Sequence, residues 1–127
     1  MSNDEGMMRL WDGWTEIRPG EGYGGWAVYA LVNVVTGRVL VSSTTTLAKR
    51  LWDVRRCLDR GRHWNCGVQA DLDLYGAETF KLYWVLRVES PTLLKIIKAA
   101  QQQRAAERGL AYNIKPIGWS RRKRPSR

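Results

Sequence analysis

Between Lys49 and Arg62 the chain carries Lys49, Arg50, Arg55, Arg56, Arg60 and Arg62, opposed only by Asp53 and Asp59. A second basic group closes it, Arg121-Arg122-Lys123-Arg124-Pro125-Ser126-Arg127. Guanidinium groups offer fixed forks of donors that suit oxyanions, and they stay charged at any physiological pH. Residues of this type neutralise and grip a polyanion, most simply a nucleic acid. Trp52 and Trp64 lie among these cations, where they could stack on exposed bases or pack as partly buried residues.

The balance of the whole chain agrees with an anionic partner. Net charge is +9, yet the first 22 residues are net acidic, with Asp4, Glu5, Asp12, Glu16 and Glu21 against Arg9 and Arg18. Hydrophobic content of 44% and charged content of 26% are globular values at 127 residues, a length that suits one core. No apolar run is long enough to span a membrane. The start, Met-Ser-Asn-Asp-Glu-Gly, lacks the basic and apolar regions of a secretory signal, so a cytoplasmic location is expected. Cys57 and Cys66 form no metal or disulfide pattern.

The elements that must hold these residues follow from periodicity. Trp26, Val28, Ala30 and Val32 alternate with Ala27, Tyr29 and Leu31, which predicts a strand with two apolar faces. Thr36-Gly37 marks a turn, and Arg38 to Ser42 continues as a second strand. Leu47, Leu51, Val54 and Leu58 recur at helical spacing behind Thr44-Thr45-Thr46, with Gly61 as the stop. His63 to Gly67 reads as a loop and Val68 to Leu74 as a short helix. Thr79 to Val88 is a third strand. Ser90-Pro91 supplies a capping hydroxyl and a proline at the first helical position, opening a helix that runs to about Glu107. The expected fold class is α+β, a small three-stranded, mainly antiparallel sheet flanked by helices. Residues 1–24 read as an N-terminal extension, 25–116 as the domain and 117–127 as a basic tail. Trp11 and Trp14 are too apolar for a free extension and are expected to dock on the body or on a protein partner.

In this order and spacing, Trp26 to Ile114 resembles a GIY-YIG nuclease domain. The Gly-Ile-Tyr and Tyr-Ile-Gly signatures become Ala27-Val28-Tyr29 and Leu40-Val41-Ser42. The middle is the fullest match: Lys49-Arg50, then Asp59-Arg60-Gly61-Arg62-His63-Trp64-Asn65, Gln69, Tyr75-Gly76 and Phe80. Tyr112-Asn113-Ile114 closes it.

The resemblance implies a division of labour. A glutamate holds a divalent metal against the scissile phosphate, an arginine steadies phosphate charge, and a tyrosine or histidine helps deprotonate the attacking water. Carried across, Tyr29 matches the first-strand tyrosine, Arg50 the helix arginine, His63 the loop histidine and Asn113 the terminal asparagine. Leu40 stands at the second tyrosine and Val54 where many members have histidine. Lys98 falls at the glutamate. A shift of one helical turn reaches only Leu94, Lys95, Gln101 or Gln102, and Glu89 and Glu107 fit poorly. An ammonium offers a metal no lone pair.

The expected function is therefore a catalytically inactive, GIY-YIG-like nucleic-acid-binding protein of phage or mobile-element type, with DNA as the expected partner. Arg50, Arg55, Arg56, Arg60, Arg62, Lys98 and Arg121, Arg122, Lys123 and Arg124 would form its contact surface. No cofactor is expected. Two alternatives stand beside this reading. One is a protein-interaction or host-takeover module that docks through Trp11 and Trp14. The other is an active endonuclease with an atypical site, which would need magnesium.

Overall fold

The computed structural model of the protein describes residues 9–18, 25–87 and 90–112. Four strands, β1 (Thr15–Glu16), β2 (Ala27–Asn33), β3 (Val39–Thr44) and β4 (Phe80–Arg87), form one antiparallel sheet in the order β1-β4-β2-β3. Among the described residues three α-helices, α1 (Leu47–Asp59), α2 (Cys66–Tyr75) and α3 (Pro91–Glu107), and one 3-10 turn (Ala77–Thr79) accompany the sheet. The architecture is α+β, with one strand more than the sequence predicts. β1 has two exposed residues and no periodicity to read. What holds it is tertiary: Ile17 is buried against the sheet, and its N–H donates to the Leu82 carbonyl.

The alternation in β2 is the organising fact. Ala27, Tyr29 and Leu31 enter one core with Leu40, Leu82 and the apolar stripe of α1, Leu47, Leu51, Val54 and Leu58. Val28, Ala30 and Val32 enter a second core with Val39, Val41, Leu94 and Ala105. Every residue of β2 is buried, as a strand covered on both faces must be. Each fully buried Leu or Val contributes about 1.5–3 kcal/mol relative to exposure, so the two-sided strand anchors both layers. Trp11 and Trp14 pack against the second core, so this segment docks on the body.

Local signals set most boundaries. Ser90 Oγ accepts from Leu93 N–H with Pro91 in the first turn of α3. The hairpin between β2 and β3 turns on Asn33, whose Oδ1 accepts from Val35 and Thr36 N–H, and on Gly37 at φ 80°. A register shift between Val28 and Tyr29 against β4 places a bulge beside the tyrosine. Both cysteines are free thiols. Among the described residues no helix is long and apolar enough to cross a membrane.

Candidate functional site

β3 is an outer strand, and its free edge is where side chains from both layers meet. One end of that edge is covered: Val39 N–H donates to Leu110 O, and Tyr112 N–H donates to Val39 O. Further along, Gln102 Nε2 donates to Val41 O at 3.0 Å. Beyond this lies a pocket of about 270 Å3. Its floor is Val41, Ser42 and Ser43 with Tyr29 from β2. Arg50 enters from the first turn of α1, and Lys98 and Gln102 from one face of α3. Trp64, in the loop between α1 and α2, completes the wall. Tyr29, Arg50 and Lys98, far apart in sequence and drawn from both faces of the sheet, thus share one site.

The electrostatics of the pocket are positive. Burial raises the Tyr29 phenol above its usual range, against the opposing pull of the Arg50 guanidinium and a hydrogen bond with Ser42. The phenol is therefore a neutral donor at physiological pH. Arg50 is exposed and Lys98 half-buried. Neither forms a salt bridge with an acidic side chain among the described residues. Two cations, a phenol, two serine hydroxyls and an amide make a donor-rich cradle for an oxyanion.

A divalent metal of the kind the resemblance implies does not fit this set. The described lining has no carboxylate, and among the described residues no three His, Cys, Asp or Glu side chains converge. Hard cations take oxygen anions, and an ammonium with a guanidinium at the same place repels them. Glu89 and Asn113 lie outside the described residues, as do Arg121, Arg122, Lys123 and Arg124.

The loop histidine is placed differently from the pocket residues. His63 is buried, and burial alone pulls its imidazole down to about 4. Nδ1 accepts from Asn65 N–H at 3.0 Å, so the ring is neutral and its proton sits on Nε2. That leaves no lone pair with which to take a proton from water, unless the loop bond is given up. Side-chain bonds from Gln69 hold the loop around it, while the His63 Nε2 itself is buried with no hydrogen-bond partner among the described residues. His63 N–H donates to Gln69 Oε1 at 2.7 Å, and Gln69 Nε2 donates to Gly61 O at 3.0 Å and Asp73 Oδ1 at 2.9 Å.

Asn65 is a residue whose importance the sequence pattern understates. Its Oδ1 caps α2 by accepting from Gly67 and Val68 N–H, while its Nδ2 donates to Tyr112 O. Tyr112 in turn donates its hydroxyl to Asp71, which also pairs with Arg38 at 3.3 Å and Thr36. Burial, followed by that carboxylate, raises the Tyr112 phenol. This network ties the chain just before Asn113 to α2. Gly67 packs closely on this network: a Cβ there would meet Tyr112 Cδ1 at 3.0 Å and Asn65 Oδ1 at 3.3 Å, so the ring would have to give way.

The described basic residues of and just after α1 that lie outside the pocket have separate surroundings. Arg55 faces away from Arg50, donating Nη2 to Ile17 O at 2.8 Å and fastening the β1 segment. Arg56 lies over the exposed ring of Trp52, 4.9 Å from its centroid. Arg60 and Arg62 are exposed at the end of α1. Leu40 and Val54, the positions without a proton to move, are both core residues. Ser42, Ser43 and Gln102 are pocket residues to which sequence reasoning gives no binding role. Two adjacent serines at the end of an otherwise branched strand are the only hint.

Two solved structures share this fold. The catalytic domain of the homing endonuclease I-TevI superposes with a TM-score of 0.60 at 17% identity, covering 72% of this chain and 99% of that domain. A mutant of the same intron endonuclease domain gives 0.60 at 18% identity, covering 75% and 98%. No protein-family model and no curated protein sequence matches the chain. At this identity the likeness is one of fold: the described residues adopt a GIY-YIG-like fold.

Proposed function

We propose that this GIY-YIG-like domain binds nucleic acid without metal-dependent cleavage. The observation that carries the reading is the meeting of Arg50 and Lys98 with Tyr29 in one pocket whose described lining lacks a carboxylate. A backbone phosphate entering there would accept hydrogen bonds from the guanidinium, the ammonium and the neutral phenol. The two serines would complete its solvation. Both charges act at close range on an anion, and neither offers a ligand to magnesium. The partner we favour is DNA. The basic residues at the end of α1, Arg60 and Arg62, and the C-terminal Arg121 to Arg127 would add phosphate contacts outside the pocket.

The test is a salt-titrated binding assay on duplex and single-stranded DNA and RNA, run with and without magnesium, alongside plasmid nicking. Affinity that falls steeply with salt and ignores magnesium, with no nicking, supports the reading. Magnesium-dependent nicking would replace it with the atypical-endonuclease alternative. Absence of binding to every nucleic acid at low salt would remove it.

A further inference from the structure

Trp64 is the exposed aromatic in the described lining of a mostly polar and cationic pocket. It is 58% exposed. One side of its ring is occupied, because His63 stacks on it with centroids 3.8 Å apart and planes 23° from parallel. His63 in turn is fixed by its backbone bond to Gln69 and by the Asn65 N–H on Nδ1. The indole is therefore a platform braced from behind by a ring that its own loop holds in place. Little ordering entropy remains to be lost when a second ring adds to it.

An exposed tryptophan beside Arg50 and Lys98 does nothing for a phosphate as such. It matches a ligand that brings a flat ring a short distance from its phosphate. A duplex keeps its base faces stacked on one another and presents only backbone and groove edges. An unpaired nucleotide presents both groups at once. We propose that the pocket selects single-stranded nucleic acid, with one phosphate between Arg50 and Lys98 and an adjoining base stacked on Trp64. The inference rests on the nucleic-acid reading above and narrows its substrate class. It differs from the charge-only reading in one respect. A contact track built from cations would favour the duplex, with its denser phosphates, whereas the Trp64 platform favours the single strand.

The experiment compares three labelled probes by fluorescence anisotropy at one salt concentration. They are a thymidine oligonucleotide of about ten nucleotides, an abasic strand of the same length and a duplex of the same length. Thymidine monophosphate serves as competitor, to separate a free nucleotide from a strand. The wild-type chain should bind the thymidine strand most tightly. Trp64→Ala should weaken that binding roughly 5- to 150-fold, the range for loss of one base–aromatic stack. It should leave the abasic strand unaffected, and Trp64→Phe should restore most of the loss. Equal weakening of base-bearing and abasic strands by Trp64→Ala would overturn the proposal, as would duplex binding at least as tight as single-strand binding. Competition by the mononucleotide at the same affinity as the strand would overturn the polymer as ligand. Failure of all three probes to bind would instead strike the parent reading, and the two failures are distinguishable in one data set.

Discussion

Acidification should find its first target at His63, the chain's one histidine. Its imidazole is held down to about 4 by burial, against an ordinary value of 6.5. Above 6.5 the ring is neutral in both the folded and unfolded chain, and it contributes no pH dependence. As pH falls through that window the unfolded chain takes up a proton that the folded chain refuses, so stability falls with it. The loss grows by about 1.4 kcal/mol per pH unit and stops growing near pH 4, having reached about 3 kcal/mol in total. That is a large share of the roughly 5–15 kcal/mol expected for a domain. Urea unfolding at a series of pH values, wild type against His63→Asn, measures it. Asparagine keeps an acceptor for the Asn65 N–H and does not titrate. The difference between the two proteins should be flat above pH 7 and close steadily below 6.5. An NMR titration of the single imidazole gives the folded value directly. Parallel stability curves down to pH 4, or a folded imidazole titrating near 6.5, would refute the burial argument. They would also return His63 to the list of groups able to act as a base at neutral pH.

The other expectations concern the pocket and its supports. Arg50→Ala should weaken nucleic-acid binding while leaving the melting temperature within a degree or two, because the side chain is exposed; equal loss of both would make the residue structural. Lys98→Glu places a carboxylate in the pocket lining and should produce a magnesium binding heat in calorimetry that the wild type lacks. A silent titration would mean that the ε-ammonium does not occupy a metal ligand's place. Gly67→Ala lies in the first turn of a helix, where alanine is ordinarily favoured by less than the roughly 1 kcal/mol of a helix interior. Here the methyl would press on the Tyr112 ring at 3.0 Å, so overpacking should reverse the sign and cost about 1 kcal/mol or more by chemical denaturation. A stabilised variant would show that the ring has room to move.

Much of the scaffold was legible because it is written in short-range terms. The alternation from Trp26 to Val32 assigns each side chain to one of two cores. The stripe Leu47, Leu51, Val54, Leu58 gives the buried face of α1. Ser90-Pro91 gives the first turn of α3, and Gly61 and Gly109, both at positive φ, stand where α1 and α3 end. Periodicity, caps and left-handed glycines act over a few residues, and a sequence displays them directly. β1 escaped because two exposed residues carry no period. The separate errand of Arg55 escaped because its partner, a backbone carbonyl of Ile17, is 38 residues away.

The site itself belongs to the long-range part. Sequence order supplied a phenol, a guanidinium and an ammonium as separate candidates, and resemblance gave them roles. Only the packing of α1 and α3 on opposite faces of a sheet that ends at β3 brings Arg50, Lys98 and Tyr29 to one edge. Only tertiary burial turned His63 from a loop imidazole into a neutral brace behind Trp64. Residue type fixes what chemistry a side chain can offer. Which offers are made in the same place depends on non-local contacts and desolvation, and those exist only once the chain has closed on itself.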